Sequence, residues 1–409
     1  MLLLLRTGQG FCCWLLACVG LLSLLFATVA SAEIVWTGSL KSLSSHVEAV
    51  PRWQPSDWSV SSQSLRLETQ WSQNEFWQVE GALDYRLRWV NPREFNDSEP
   101  PQINRRIDLE QSWRYNDHWS GRLAVDRLAV RAQSGSFDLV VGRQAIGFGR
   151  IAIFSPLDII APFAPDALET AVRPGVDALR AGFHYGLDGQ VGALFVAGDQ
   201  QRHDSWLTTW SDNRSGIDLL AIAGRLRSRS MIGCGLAGNL GTLGLKGELT
   251  FYRGQNTDDA DGDLRRHFAI GAVEAWYRFD NGITLIAEYL YNGPGAQNPQ
   301  DYLLVADSAP LREGMTYLLG RHYLMIAPSY QLHPLVTLEG LLIWNLRDRS
   351  TLLRPAMTCS LRDNLDLELF WSWPAGADPV QRQAEPWLQP ASEFGLRGQA
   401  AGLFLRYFF

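Results

Sequence analysis

The chain has 409 residues with 36 basic and 43 acidic side chains, a net charge of −7. That excludes a general role in neutralising nucleic-acid phosphates. Aromatic content is high, with 16 Trp, 12 Tyr and 18 Phe, and only Lys41 and Lys246 interrupt a cation set otherwise made of arginine.

The first 32 residues read as a secretory leader, with Arg6 ahead of an apolar run from Phe11 to Val29. Ala30-Ser31-Ala32 places small residues where a signal peptidase cuts, so cleavage is expected before Glu33. A lipoprotein signal at Cys18 fits less well, because the apolar run continues past it. Cys12, Cys13 and Cys18 would leave with the leader. Cys234 and Cys359 would stay as two isolated thiols rather than a disulfide framework. Beyond Glu33 no apolar run is long enough for a spanning helix, so residues 33–409 are read as one domain.

Along that domain the hydrophobic period is two. Leu65, Leu67, Thr69 and Trp71 alternate with Arg66, Glu68 and Gln70. Trp77, Val79, Leu83, Tyr85, Leu87 and Trp89 oppose Gln78, Glu80, Asp84, Arg86 and Arg88. Ile107, Leu109 and Trp113 oppose Arg106, Asp108, Glu110 and Arg114. The pattern returns at Leu243–Phe251 against Lys246 and Glu248, at Ile283–Tyr291 against Glu288, and at Leu365–Trp373 against Asp366 and Glu368.

One face of each segment is apolar and often ends in Trp or Tyr, as at Trp89, Trp113, Tyr291 and Trp373. Amphipathic rings are most stable at a water–lipid boundary. The opposite faces mix acids with arginines, which a dry sandwich core would desolvate at high cost. A wet lumen accommodates them. The expected fold is therefore all-β: a transmembrane antiparallel barrel of about 18 strands, with 16 as the alternative.

Turn chemistry divides the connections. Leu187-Asp188-Gly189, Asp280-Asn281-Gly282, His333-Pro334 and Arg362-Asp363 are tight hairpin turns, expected on the periplasmic side. Longer polar stretches at Asn91–Gln102, Gln255–Asp263, Gly293–Gly320 and Pro374–Leu396 read as extracellular loops. Asp258-Asp259-Ala260-Asp261-Gly262-Asp263 resembles a calcium loop only faintly, because Phe268 falls where the bidentate acid belongs. The seven histidines show no metal-ligand spacing, so no metal, cofactor or catalytic residue is expected.

Gly147 to Gly175 breaks the hairpin rhythm. It holds four prolines (Pro156, Pro162, Pro165, Pro174) and is too apolar for a solvated loop. Such a loop can be buried in a barrel only by folding into the lumen, where it narrows the pore. Arg143, Gln144, Arg150, Asp158, Arg173, Asp177 and Arg180 are its candidate constriction and selectivity residues, since opposed charges at a narrowing select solutes. The same glycines and arginines also suit a purely structural locking role.

Gly142-Arg143-Gln144, the glycines from 147 to 149, Ser155-Pro156-Leu157-Asp158 and Arg173–Arg180 together resemble a broad porin-like family of outer-membrane barrels. That family carries a Gly-Arg-Gln, a Gly-rich turn, an (Asn/Ser)-Pro-x-Asp element and an Arg-Pro-Gly-x-Asp-Ala-Leu-Arg strand start. Phe148 and Ser155 stand here where Trp and Asn are usual. The resemblance implies a passive channel for small hydrophilic solutes, with an export barrel for polysaccharide or lipid, or a barrel enzyme, as alternatives. The chain ends with Leu403, Leu405, Tyr407 and Phe409 on one face, which resembles the strand that the outer-membrane insertion machinery reads. Expected partners are that machinery, outer-membrane lipid and lipopolysaccharide, and the transported solutes; no nucleic acid is expected, and the oligomeric state is left open.

Overall fold

The computed structural model describes residues 33–72, 76–91, 102–255, 262–381 and 388–409. Residues 1–32, expected from the sequence to be a leader, and the acidic stretch from Asp258 to Asp261 lie outside those residues. The chain begins with β1 (Glu33–Val47), β2 (Trp58–Ser72), β3 (Trp77–Asn91), the short β4 (Glu110–Arg114) and β5 (Trp119–Ser134). It continues through β6 (Phe137–Gln144), β7 (Val176–Tyr185), β8 (Gly189–Val196), β9 (Ser205–Arg214), β10 (Ile217–Leu226) and β11 (Arg229–Leu240). Next come β12 (Leu243–Arg253), β13 (His267–Arg278), β14 (Thr284–Asn292), β15 (His322–His333) and β16 (Val336–Asn345). The last are β17 (Thr351–Arg362), β18 (Leu365–Ala375), the two-residue pair β19 (Val380–Gln381) and β20 (Leu388–Gln389), and β21 (Ala400–Phe408).

The wall is a closed antiparallel barrel of 18 strands, with β4 added against β5 and β1 closing on β21. Closure leaves no open edge, so every wall amide finds a partner without water. Period two then sorts the side chains. Leu67, Leu83, Leu139, Val141, Leu179, Ile232, Val273, Leu353 and Leu403 point outward and are exposed. Arg66, Asp126, Arg143, Glu248, Glu274 and Glu288 point inward and are buried.

Aromatic rings gather at both ends of the apolar belt. Near the short turns, Phe137 meets Phe183 at 4.7 Å, Tyr277 meets Phe279 at 4.8 Å and Tyr407 meets Phe409 at 5.9 Å. Near the long connections, Phe195 meets Trp206 at 4.2 Å and Trp371 meets Trp373 at 5.3 Å.

The expected turns and loops fall at opposite rims. The short hairpin turns at Asp188, Asn281, Pro334 and Asp363 lie at the rim that holds the start of β1 and the end of β21, whereas the two-residue turn Arg227-Ser228 between β10 and β11 lies at the other rim. Among the described residues, Gly293–Gly320 and the described ends of the other long connections lie at that other rim. Two of them differ from solvated loops. Gly293–Gly320 folds inward over the lumen, with Tyr302, Thr316 and Leu318 almost fully buried, and Glu393 and Phe394 of the last connection follow it. The two short helices of Gly293–Gly320, Tyr302–Ala306 and Ala309–Arg312, bury Tyr302, Val305, Ala309 and Pro310.

A second difference is local. Residues 107–114 alternate like a spanning strand, but only Glu110–Arg114 pairs, lying against residues 120–124 of β5. They fill the wall where β6 stops at Gln144. Cys234 and Cys359 are both free thiols, on β11 and β17.

Candidate functional site

Residues 145–175 leave the wall at the end of β6, cross the lumen and rejoin the wall at β7. Their apolar side chains account for the burial. Ile146, Ile151, Phe154, Leu157, Ile159 and Ile160 pack against inward apolar residues of the far wall, among them Leu207, Ile222, Met231, Ile270 and Met325. Leu157 is fully buried over Gly233 and Gly235 of β11, where an added Cβ would lie 2.7 and 2.6 Å from its methyl carbons. Burying a leucine of this kind is worth about 1.5–3 kcal/mol.

The loop's backbone amides need acceptors, because a lumen filled with apolar side chains supplies little water. Three wall glutamates provide them. Glu248 accepts from Arg150 N (2.7 Å), Ile151 N (3.2 Å) and Leu157 N (3.1 Å), and from the Ser155 hydroxyl. Glu274 accepts from Ala152 N, and Glu288 from Ile153 N and Phe154 N at 3.3 Å each. Glu274 and Glu288 are direct cross-strand partners, so two fully buried carboxyl groups face each other across the wall. Lys246 at 2.7 Å from Glu274, together with the loop amides, gives the pair its partners.

The other end of the loop is held by Asp126. A register shift in the β3–β5 pairing at Ala82/Leu83 lets the consecutive Asp126 and Arg127 both point inward. The Asp126 carboxylate accepts from Arg66 (2.8 Å), Arg105 (2.7 Å), Arg127 (2.6 Å) and Gly175 N (3.0 Å). Gly175 is required by this close approach, since a Cβ there would sit 1.9 Å from the Asp126 carbonyl oxygen. Gly175→Ala is therefore expected to misplace the returning loop and lower the yield of folded barrel. The fraction migrating as compact, heat-modifiable protein in an unboiled gel reads this out, and an unchanged fraction contradicts it.

The residues singled out from the sequence divide into two groups. Arg143, Gln144 and Asp177 are buried in the wall junction. Arg143 donates to Asp177 at 2.7 Å and to Val125 O at 2.9 Å, while Gln144 donates to Val140 O and Ala178 O at 3.2 Å each. Asp177 also accepts from Ile107 N at 2.8 Å, which anchors the segment leading to β4.

Arg150, Arg173 and Arg180 keep part of their surface toward the lumen. Arg150 lies 3.4 Å from Asp218, and Arg173 bridges Asp158 and Ala161 O and stacks on Phe163 with its guanidinium carbon 5.0 Å from the ring centroid. Burial pushes the Asp158 carboxyl up to about 6, against the lowering effect of Arg173.

Several residues that build the site were not singled out. Arg105 reaches both Asp126 and Gly175 O (2.8 Å). Asn104 donates to Ile160 O at 2.7 Å. Burial, and then Arg143 nearby, lower the Arg105 guanidinium below its ordinary value. Arg227 donates from above to Ile160 O (2.8 Å) and to Glu313 O (2.6 Å), tying the lumen loop to the inward-folded connection. Arg229 beside it meets Asp263 and Glu313 at 2.6 Å each. Asp166 is held below the usual carboxylate range because Arg397 overrides its burial.

The loop divides the remaining solvent space. On the β1–β5 side lies a cavity of about 340 Å³ whose lining includes Lys41, Arg66, Arg86, Arg105, Arg122, Arg227 and Arg312, with Asp84, Asp126, Glu169 and Glu313. On the β15–β18 side lies a cavity of about 440 Å³ lined by Asp158, Glu339 and Glu368 with Arg173 and Arg354. One face of the lumen is thus rich in cations and the other more acidic.

No protein-family model matches the sequence, and no curated protein does. Among solved structures, Acinetobacter baumannii OccAB4 is similar at a TM-score of 0.57 and 10% identity, over 92% of this chain and 98% of that one. A triple mutant of Rhodopseudomonas blastica porin has a TM-score of 0.46 and 10% identity, over 92% and 100% of the two chains. Salmonella typhi OmpF in complex with daunomycin has a TM-score of 0.46 and 11% identity, over 92% and 97%. At such identities the likeness is one of fold, a porin-like β-barrel.

Proposed function

We propose that this barrel is an outer-membrane channel for passive diffusion of small hydrophilic solutes, narrowed by the loop from Gly147 to Gly175. The observation that carries the reading is the loop's position across the lumen, with a cavity lined by charged side chains on each side. No chemical step is required. Discrimination comes from width and from the charges that remain exposed to the passage, of which Arg150, Arg173 and Arg180 belong to the sequence-derived set. Arg143, Gln144, Asp158 and Asp177 serve the passage by fixing the loop's two ends and its turn.

In this reading residues 1–32 are the cleaved leader and residues 33–409 the mature domain. The rim of short turns faces the periplasm. Leu403, Leu405, Tyr407 and Phe409 form the insertion signal for the assembly machinery, while Arg406 turns inward to Glu368 at 3.1 Å. The outward belt contacts lipid, and the long-loop rim meets lipopolysaccharide.

The test is the electrical behaviour of the purified, refolded barrel in a planar bilayer. Steady single-channel steps that scale with salt concentration are expected. A correctly folded barrel that passes no current overturns the channel reading.

A further inference from the structure

On the outside of the wall, β11, β12 and β13 change character at one level near the long-connection rim. Ile232, Phe251 and Ala269 stand side by side on the outward face, in register across the three strands. Ile232 and Phe251 are more than half exposed there. One outward position further along, the row becomes Ser230, Arg253 and His267. Both rows, with Tyr291 of β14, border a surface groove of about 600 Å³. Because Ala269 is small, the groove lies open between the rings of Phe251 and Tyr291.

The basic end of the groove lacks a counter-charge. Arg253 and His267 are direct cross-strand partners, and both are exposed. Among the described residues neither side chain is hydrogen-bonded or paired with an acid. Arg266, next in the chain, is exposed also. Asp263, the described acid of this connection, is buried and committed to Arg229 at 2.6 Å. Long basic side chains at a bilayer surface reach for water one by one. Two of them directly opposite each other lose stability unless an anion lies between. The row below them is apolar, so a molecule that meets both rows carries an anionic group and a hydrocarbon part. A phosphate matches the arginine fork with two parallel hydrogen bonds.

We propose that this groove holds one phosphorylated, acylated lipid of the outer leaflet, its phosphate between Arg253 and His267 and an acyl chain over Ala269. The site rests on the outer-membrane reading, with the long-connection rim outward, and lies on the outer wall rather than in the lumen. Basic pockets at a membrane surface recognise anionic headgroups in this way.

Native mass spectrometry of the intact, refolded barrel in neutral detergent, with lipid A or dephosphorylated lipid A added, tests it. One lipid A per barrel is expected, retained several-fold more than the dephosphorylated form. Inorganic phosphate at equal concentration does not displace it, because free phosphate lacks the acyl contact. Arg253→Gln combined with His267→Gln is expected to cut lipid A retention several-fold, to the level of the dephosphorylated form. Ala269→Trp, which fills the groove, is expected to cut retention of both forms, and Ala269→Leu takes its place if the tryptophan variant does not fold. Arg362→Gln, at the opposite rim, leaves retention unchanged. Heat-modifiable migration confirms that each variant folds.

Equal retention of the two forms, or retention untouched by the double substitution, overturns the site. The basic pair is then served by its own connection, whose sequence holds Asp258, Asp259 and Asp261. Displacement by inorganic phosphate overturns the lipid assignment. Each of these results leaves the channel reading standing, whereas a barrel that retains lipid A but conducts nothing overturns the channel reading alone.

Discussion

Replacing Glu248, Glu274 and Glu288 together by glutamine is expected to release the lumen loop while the barrel wall survives. The three carboxylates accept seven hydrogen bonds from residues 150–157. Hydrogen bonds of this kind are worth roughly 0.5–3 kcal/mol each, the upper part of that range where the acceptor is charged. A glutamine keeps one carbonyl oxygen and turns an amino group toward donors, so most of those bonds go. The opposing effect is relief of the close approach of the Glu274 and Glu288 carboxyl groups, which face each other across β13 and β14. Cross-strand pairs contribute only about 0.2–1 kcal/mol, so the loss of loop contacts dominates. The signature is specific: the loop becomes a protease site and single-channel conductance rises several-fold, while unfolding of the wall in denaturant moves little. A variant with native conductance and a protected loop removes the glutamates from this role.

Asp126→Asn is expected to act on the wall as well as the loop. In the native barrel one carboxylate balances Arg66, Arg105 and Arg127, each 8% exposed or less at the side chain. Without its charge three guanidinium groups crowd one another and the amide of Gly175 loses its partner. Removing one member of a buried ionic group typically costs about 3–5 kcal/mol, because the uncompensated charge stays behind. Denaturant unfolding of the refolded protein should shift to lower midpoint by an amount in that range. An unshifted midpoint contradicts the assignment of Asp126 as the hub.

How much of this was legible in the sequence depends on whether lipid or tertiary contact dictated the residue. The lipid face demands an apolar side chain at every second position, so β2, β3, β12, β14 and β18 could be read directly. The final strand could be read in the same way. The inward orientation of Arg66, Glu248 and Glu288 followed from the same alternation. Asp126 was hidden because the bulge puts two adjacent polar residues on one face, breaking the period within the stretch His118–Arg131. Residues 102–109 were read as loop and strand because nothing local marks their backbone contacts to Asp177 and Asp199.

The crossing of the lumen by 147–175 was suggested by prolines and apolar content together, a composition neither a strand nor a solvated loop needs. Its docking partners were not visible. Each glutamate reads as an ordinary inward acid until strands β12 to β14 are set side by side. Likewise Arg143 reads as a pore charge by its motif, whereas its position 2% exposed at the wall junction follows from β6 ending at Gln144.

The central claim is that residues 147–175 limit an open pore, and single-channel conductance of the intact barrel beside a barrel with residues 150–172 replaced by a short Gly-Ser linker tests it most directly. The claim predicts steady steps from the intact protein and steps several-fold larger after shortening. Equal conductance in the two folded proteins, or silence in both, contradicts it.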